Sequence, residues 1–461
     1  MKKTLIILSF LLMAASCSFL DTGAPGIVDR ERMFADEQGF EDALTGVYSS
    51  LASPALYGKE LSFGFVDEIA QLYYNDYEKN ETPLTKTYDL RYTDTDVRRR
   101  IDKIWEEAYH SIASLNSLLE HAENAPFPRI PQIKGEALTL RAFIHFDLLR
   151  LFAPVTGRDS EKTIPYVTLF SNTPQPRLTM SQFYARIIDD LQKACDLLEI
   201  SMPHSRVYVS KDVAEAMLAR VFLWKGDFAN AERYARAIVE KDYSLAREEQ
   251  MKSLFMGYSA RSECLWVLHA PKMYLDVKQI LYPALRTNKM NMVRSNYKQI
   301  FQVGKFTPTN NDYRFQAYFT QTDWGKTVVT LTKLYDKNYD ETQKFQEGRV
   351  PGVNMVRLPE MYYILAEVLY PDRKEEALKA LNTVITARGL KPLTYNDIAS
   401  PERFKQVLMN EIIKEYWGEG QIFFAYKRMQ LPMEGLNGKI HPATGTTYVL
   451  PLPEDEQKEE I

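Results

Sequence analysis

The chain has 461 residues, with 57 Lys and Arg against 61 Asp and Glu, for a formal net charge of −4. That balance excludes a protein that as a whole grips nucleic acid or an anionic membrane surface by charge. The length suffices for two or three ordinary domains or one large helical one, and 28 Tyr with 23 Phe suit a protein that presents flat, amphipathic surfaces to a ligand or partner.

Lys2 and Lys3 precede an apolar run from Leu5 to Met13, then the small residues Ala14, Ala15 and Ser16, then Cys17. This is the order of a secretory signal, expected to span residues 1–16. The run is too short to cross a bilayer, which takes roughly 20 residues. A signal cut immediately before a cysteine resembles a bacterial lipobox, so Cys17 is the expected lipidation site and 17–461 the mature chain, read as a single domain. The two other cysteines, Cys195 and Cys264, are too few for a disulfide framework in so long a chain. Buried thiols or one Cys195–Cys264 bridge both fit the sequence.

Helical periodicity begins near Asp36, where Phe40, Ala43, Leu44, Val47, Tyr48 and Leu51 share one face. A polar and aromatic stretch runs from Ala52 to about Tyr92. Helix is expected again over 98–123, with Ile101, Ile104, Trp105, Ala108, Ile112, Leu115 and Leu119 in register, then over 131–152 and 180–199. The run Arg98-Arg99-Arg100 opens the first of these and reads as a solvated face. Residues 211–240 follow a tetratricopeptide pattern. Ala219 and Ala231 allow two antiparallel helices to approach, Gly226 permits the turn, and Phe222 and Phe228 fill the gap. A weaker unit covers 357–388, with Ala366, Ala377 and Leu381 in similar places. Between these units, residues 243–355 lose the period and carry short β-like runs, Cys264 to Ala270 and Thr327 to Leu331. The expected fold is mostly α, an irregular insertion on helix pairs rather than a regular solenoid.

Catalytic signatures are missing from the sequence. The six histidines form neither HxH nor HExxH, and no GxSxG, P-loop or GxGxxG follows a strand. His145 lies in an apolar helix, where a satisfied core histidine is the commoner case. Asp67 and Glu68 are adjacent carboxylates, but neighbouring residues point apart, which does not suit a glycosidase pair. Asp94 and Asp96 read as solvated charges before they read as calcium ligands. No catalytic residue, metal or cofactor is expected. A ligand site on exposed rings is expected instead. Trp105, Trp224, Trp266 and Trp417 all fall in apolar elements, whereas Trp324 lies in the polar loop QTDWGKT.

Several segments, in order, resemble the RagB/SusD family. They are SFLD after Cys17, the helix KGEALTLRAFIHFDLLRLFAPV (134–155), PRLTMSQFYARIIDDL (176–191), VRLPEMYYILAEVLYPDRKEEALKALNTVITARGL (356–390), the helix EIIKEYWGEGQIFFAYKR (411–428) and YVLPLPEDE (448–456). The chain departs from the family pattern at Ala153, Pro359 and Ala425, and in its acidic end. The resemblance implies about four tetratricopeptide-like helix pairs, spread over about 36–51, 98–240 and 356–428, carrying an irregular, loop-rich ligand-binding region with a few short strands. It also implies a non-enzymatic lipoprotein on the outer membrane whose partner is a SusC-like TonB-dependent barrel; the signal and Cys17 exclude a cytoplasmic scaffold but leave a periplasmic tetratricopeptide scaffold as an alternative. The ligand implied is an oligosaccharide, with a peptide as the alternative. Family members place binding aromatics in an early loop and in the later insertion. Here those places hold Tyr73, Tyr74, Asn75 and Tyr77, and Tyr282, Tyr313, Arg314 and Trp324.

Overall fold

The computed structural model describes residues 30–73, 82–155, 161–198, 206–255, 262–273, 276–277, 300–301, 312–323, 327–334, 352–435 and 438–458. After a short turn of helix, α1 (Arg30–Met33), the first amphipathic helix is α2 (Glu37–Leu51). Its start is fixed by Asp36, whose carboxylate accepts the Gly39 N–H at 2.9 Å, a side-chain cap for an otherwise unpaired donor. The long helices α5 (Thr95–His121), α6 (Ile130–Phe152) and α7 (Met180–Leu197) follow two short ones, α3 (Phe65–Ile69) and α4 (Pro83–Tyr88). Next come α8 (Lys211–Lys225), α9 (Phe228–Val239) and the short α10 (Glu248–Met251).

Helix α2 packs on α5, α6 on α7, and α8 on α9. The fourth pair is α12 (Leu358–Leu369) with α13 (Lys374–Ala387), laid against α9. The α8–α9 turn is built as the sequence implies. Gly226 takes φ +80°, a left-handed conformation that glycine adopts without strain, and Ala219 and Ala231 are fully buried. The Phe222 ring stacks on Tyr234 at 5.7 Å. Phe228 differs from expectation. It is 42% exposed, because it is the first residue of α9 and points off the end of the pair. Pro359 is accommodated in the first turn of α12, where a missing N–H costs no helical hydrogen bond.

The irregular region is closed at its base by an antiparallel pair. Strand β3 (Cys264–His269) runs beside β6 (Gly352–Arg357), with Cys264 opposite Arg357 and His269 opposite Gly352. Between them, α11 (Tyr313–Tyr318) leads into a hairpin of β4 (Phe319–Asp323) and β5 (Thr327–Leu331). A smaller ladder, β1 (Lys162–Pro165) with β2 (Arg177–Thr179), precedes α7.

The helix expected over 411–428 is broken. It forms α14 (Pro401–Tyr416) and α15 (Ile422–Met429), separated by a turn at 417–421. The stretch 52–92 also departs from its polar appearance, since Leu61, Phe63, Phe65, Val66, Ile69 and Tyr73 are buried core residues. Cys195 and Cys264 form no disulfide, and the Cys264 thiol donates to the Trp266 carbonyl at 3.2 Å. His145 is a core histidine with both nitrogens engaged. Nδ1–H donates to the Arg141 carbonyl at 2.9 Å, which leaves Nε2 to accept the Val167 N–H at 2.9 Å, and burial lowers its pKa to about 3.

Candidate functional site

The break between α14 and α15 is the base from which two loop-bearing segments rise. Gly418 and Gly420 have φ of +84° and +70°, and this backbone points both of their N–H groups at one side chain. Asp67, in α3, accepts from Gly418 at 2.8 Å and from Gly420 at 3.0 Å. The Tyr73 hydroxyl donates to the same carboxylate at 3.3 Å. Asp67 is fully buried, and burial pushes its carboxyl well above the usual range despite these donors. Glu68 turns the other way, to Arg100, which also bridges to Glu60. The two adjacent carboxylates thus do point apart. Arg100 is not part of a solvated face, as the Arg98–Arg100 run suggested, because these two glutamates draw it inward. Only Arg99 remains open, its side chain 73% exposed.

The β4–β5 hairpin stands on the same turn. The Phe319 ring meets Trp417 edge-on at 5.4 Å, and a Cβ placed on Gly418 would lie 2.9 Å from the Leu331 side chain. Just past the hairpin, Lys333 donates to the carbonyls of Glu415 at 2.8 Å and Trp417 at 3.1 Å and pairs with Glu419. Burial depresses its pKa to about 8.

Beneath the turn lies a buried cluster of charges. Glu415 accepts from Arg357 at 2.8 Å and from Arg388 at 2.9 and 3.0 Å. Glu263 accepts from Arg357 at 2.7 Å and from Arg388 at 3.0 Å. Arg314 is held by Asp312 and by Glu411 at 2.8 Å, and Glu411 also takes Lys414 at 2.7 Å. With Lys333 and Glu419, five cations face five carboxylates, all of them buried. Burial alone would raise the acids, but the arginines outweigh it. Arg388 and Arg357 hold Glu415 well below the usual range, and Arg314 with Lys414 holds Glu411 at about 2. Such a cluster is costly to assemble and far costlier to leave half-paired.

This geometry sorts the candidate residues. Tyr73 and Arg314 are each 0% exposed, so they fasten the loops and present nothing to a ligand in this structure. Arg314 read as a loop arginine free to bind, but its three acidic neighbours turn it into the core. Tyr313, half-buried beside it, keeps accessible surface. Tyr74, Asn75, Tyr77, Tyr282 and Trp324 lie outside the described residues, as does Cys17. The other four tryptophans are buried, at 9% exposure or less. Asp94 caps α5 and pairs with Lys86 at 3.1 Å and Arg91 at 3.2 Å. The supporting turn itself was missed as a feature of the site, although Glu415 and the Gly-Glu-Gly at 418–420 were visible in the sequence.

Residues 29–223 match a family model described as "Starch-binding associating with outer membrane", and residues 314–461 match the SusD family model. The chain belongs to the SusD/RagB family. A relative from Formosa agariphila, SusD-like protein P2, is 27% identical over 261 residues, covering 55% of this chain and 49% of that protein. The match therefore spans about half the length of that relative. Among solved structures, a SusD superfamily protein from Bacteroides thetaiotaomicron aligns with a TM-score of 0.74 at 22% identity, over 91% of this chain and 97% of the other. A SusD-like carbohydrate binding protein from Bacteroides vulgatus aligns at 0.73 and 20% identity, over 91% and 96%. These likenesses establish the SusD fold. The family is one of binding proteins rather than enzymes and is associated with the outer membrane. Among the described residues, no helix is long and apolar enough to cross a membrane.

Proposed function

We propose that this SusD-family chain captures oligomeric nutrients, glycans first, at the outer membrane and delivers them to a SusC-like TonB-dependent barrel. Its mature form starts at Cys17 and is held at the cell surface by acyl chains on that residue. The observation that carries the binding reading is the common base of the loops. The segment leading to Tyr74, Asn75 and Tyr77 is tied through Tyr73 and Asp67 to the 418–420 turn, and the hairpin bearing Trp324 rests on Trp417 and Gly418. A rigid base favours a preorganised aromatic surface, which loses little entropy on binding. Several separated rings suit an extended oligomer better than a monomer. The purified full-length protein screened against glycan and peptide arrays tests the reading. Binding to a glycan oligomer supports it, binding to peptides alone moves the chain to the peptide-binding alternative, and binding to neither refutes it.

Anchoring has its own test. Cys17→Ala is expected to leave folding intact and release the protein from membranes, because acyl chains hold it. Retention of the variant in the membrane pellet after a carbonate wash would contradict the lipid anchor.

A further inference from the structure

A cleft opens where helices of three pairs meet the terminal two, well apart in sequence from the loop segments. Its space, counting the open mouth, is about 520 Å³. One part of the wall is apolar, including Leu223, Trp224, Ile364 and Phe424, with Ala425 contributing only a methyl group. The other part carries hydrogen-bond donors. Arg220 is 3% exposed and pairs with Glu360 through Nε at 2.5 Å and Nη2 at 2.7 Å, but its Nη1 has no partner among the described residues. The Tyr416 hydroxyl, on a side chain 6% exposed, has none either. Both residues line the cleft. Burial holds the Tyr416 phenol far above its usual pKa, so it keeps its proton and remains able to donate.

The ion pairs around the cleft balance one another. Arg220 pairs with Glu360, Arg428 with Glu367, and Arg150 with Asp147. Behind Arg150, the fully buried Lys427 donates to the Arg150 carbonyl, and burial holds its pKa well below the usual lysine value, so it adds no firm positive charge. The Arg150 guanidinium sits over the Phe424 ring, 3.8 Å from its centroid. Burial weakens the charged form of Arg150, and Arg220 nearby weakens it further. Two buried donors without acceptors cost free energy on the scale of the hydrogen bonds they lack. An acceptor bearing negative charge would satisfy both through charge-assisted hydrogen bonds, while an apolar body would fill the other wall.

We propose that this interhelical cleft is a binding site for a small carboxylate with a short apolar body, gripped by Arg220 Nη1 and the Tyr416 hydroxyl. The site is separate from the aromatic loops and does not depend on their function. The test titrates the full-length protein with sodium butyrate by calorimetry and by thermal unfolding. Butanol supplies the same body without charge, and sodium chloride supplies charge without the body. Saturable binding is expected for butyrate alone. Tyr416→Phe removes one donor and keeps the ring, and is expected to weaken that binding by about 10-fold or more. Ala425→Leu fills the cleft and should abolish it. Should Ala425→Leu misfold by circular dichroism, Tyr416→Phe decides alone. Equal responses to butyrate and chloride, or wild-type butyrate affinity in the Tyr416→Phe variant, would overturn the proposal and leave water as the occupant.

Discussion

At the α8–α9 turn, Gly226 is left-handed and nothing lies within 4 Å of where a side chain would stand. The helices it joins meet through Ala219 and Ala231 and through a stacked pair of rings. At the α14–α15 break, Gly420 is left-handed too, but a Cβ there would lie 2.2 Å from the Leu61 carbonyl oxygen. The segments joined around it meet through charges that see no water. The helix pairs are thus held by small apolar contacts spread over long surfaces, which tolerate local adjustment. The base of the loops is held by a few paired charges that have no tolerated intermediate. One half can drift in sequence and keep its shape, while the other keeps loop stems in place only if every partner is present.

Removing one member of the charge cluster should have the largest effect. Glu415→Ala leaves Arg357 and Arg388 short of a carboxylate in the interior, and a loss of about 3–5 kcal/mol is expected by urea denaturation. A loss under 1 kcal/mol would mean that water enters the cluster and that the contrast between the halves is overstated.

Acid should separate the halves next. Glu411 titrates at about 2 in the folded chain, against roughly 4.3 for an ordinary glutamate. Between those values the unfolded chain binds the extra proton. The stability from this carboxylate is therefore fully present above the unfolded value and is lost as pH falls through the folded one, up to about 3 kcal/mol. Hydrogen exchange followed from pH 5 down toward pH 3 should show amides near 411–420 losing protection before those of α8 and α9. Uniform loss across the chain would contradict it.

The smallest stability effect is expected in the helical half. Ala219→Leu overpacks the α8–α9 contact and should cost about 1–3 kcal/mol without disturbing the loops. An unchanged melting temperature would argue against close approach of those helices.

These two halves were not equally legible. Periodicity over 98–123 and 131–152 is enough to place α5 and α6 to within a few residues, because a helix that buries one long face must write it into successive turns. Gly226 and the four buried tryptophans were readable for the same reason, each being local to its element. The loop base was not. Glu263, Arg357, Arg388 and Glu415 are far apart in the chain, and a lone charge in a sequence reads as solvated. Arg314 therefore reads as a ligand contact and Arg100 as surface. The break at 417–421 was hidden because the flanking residues keep helical spacing, and it is the distant Asp67 that makes the two left-handed glycines worthwhile. Tyr73 misled for a related reason, since its hydroxyl has a buried carboxylate to meet.

The central claim is that the two loop segments rising from one base form a single binding surface on which Trp324 stacks. Calorimetric titration of wild type and Trp324→Ala with the oligomer found by array screening tests it most directly. The account predicts a loss of affinity of about 5- to 150-fold, on the order of 1–3 kcal/mol, with an unchanged melting temperature. Equal affinities for the two proteins would contradict it.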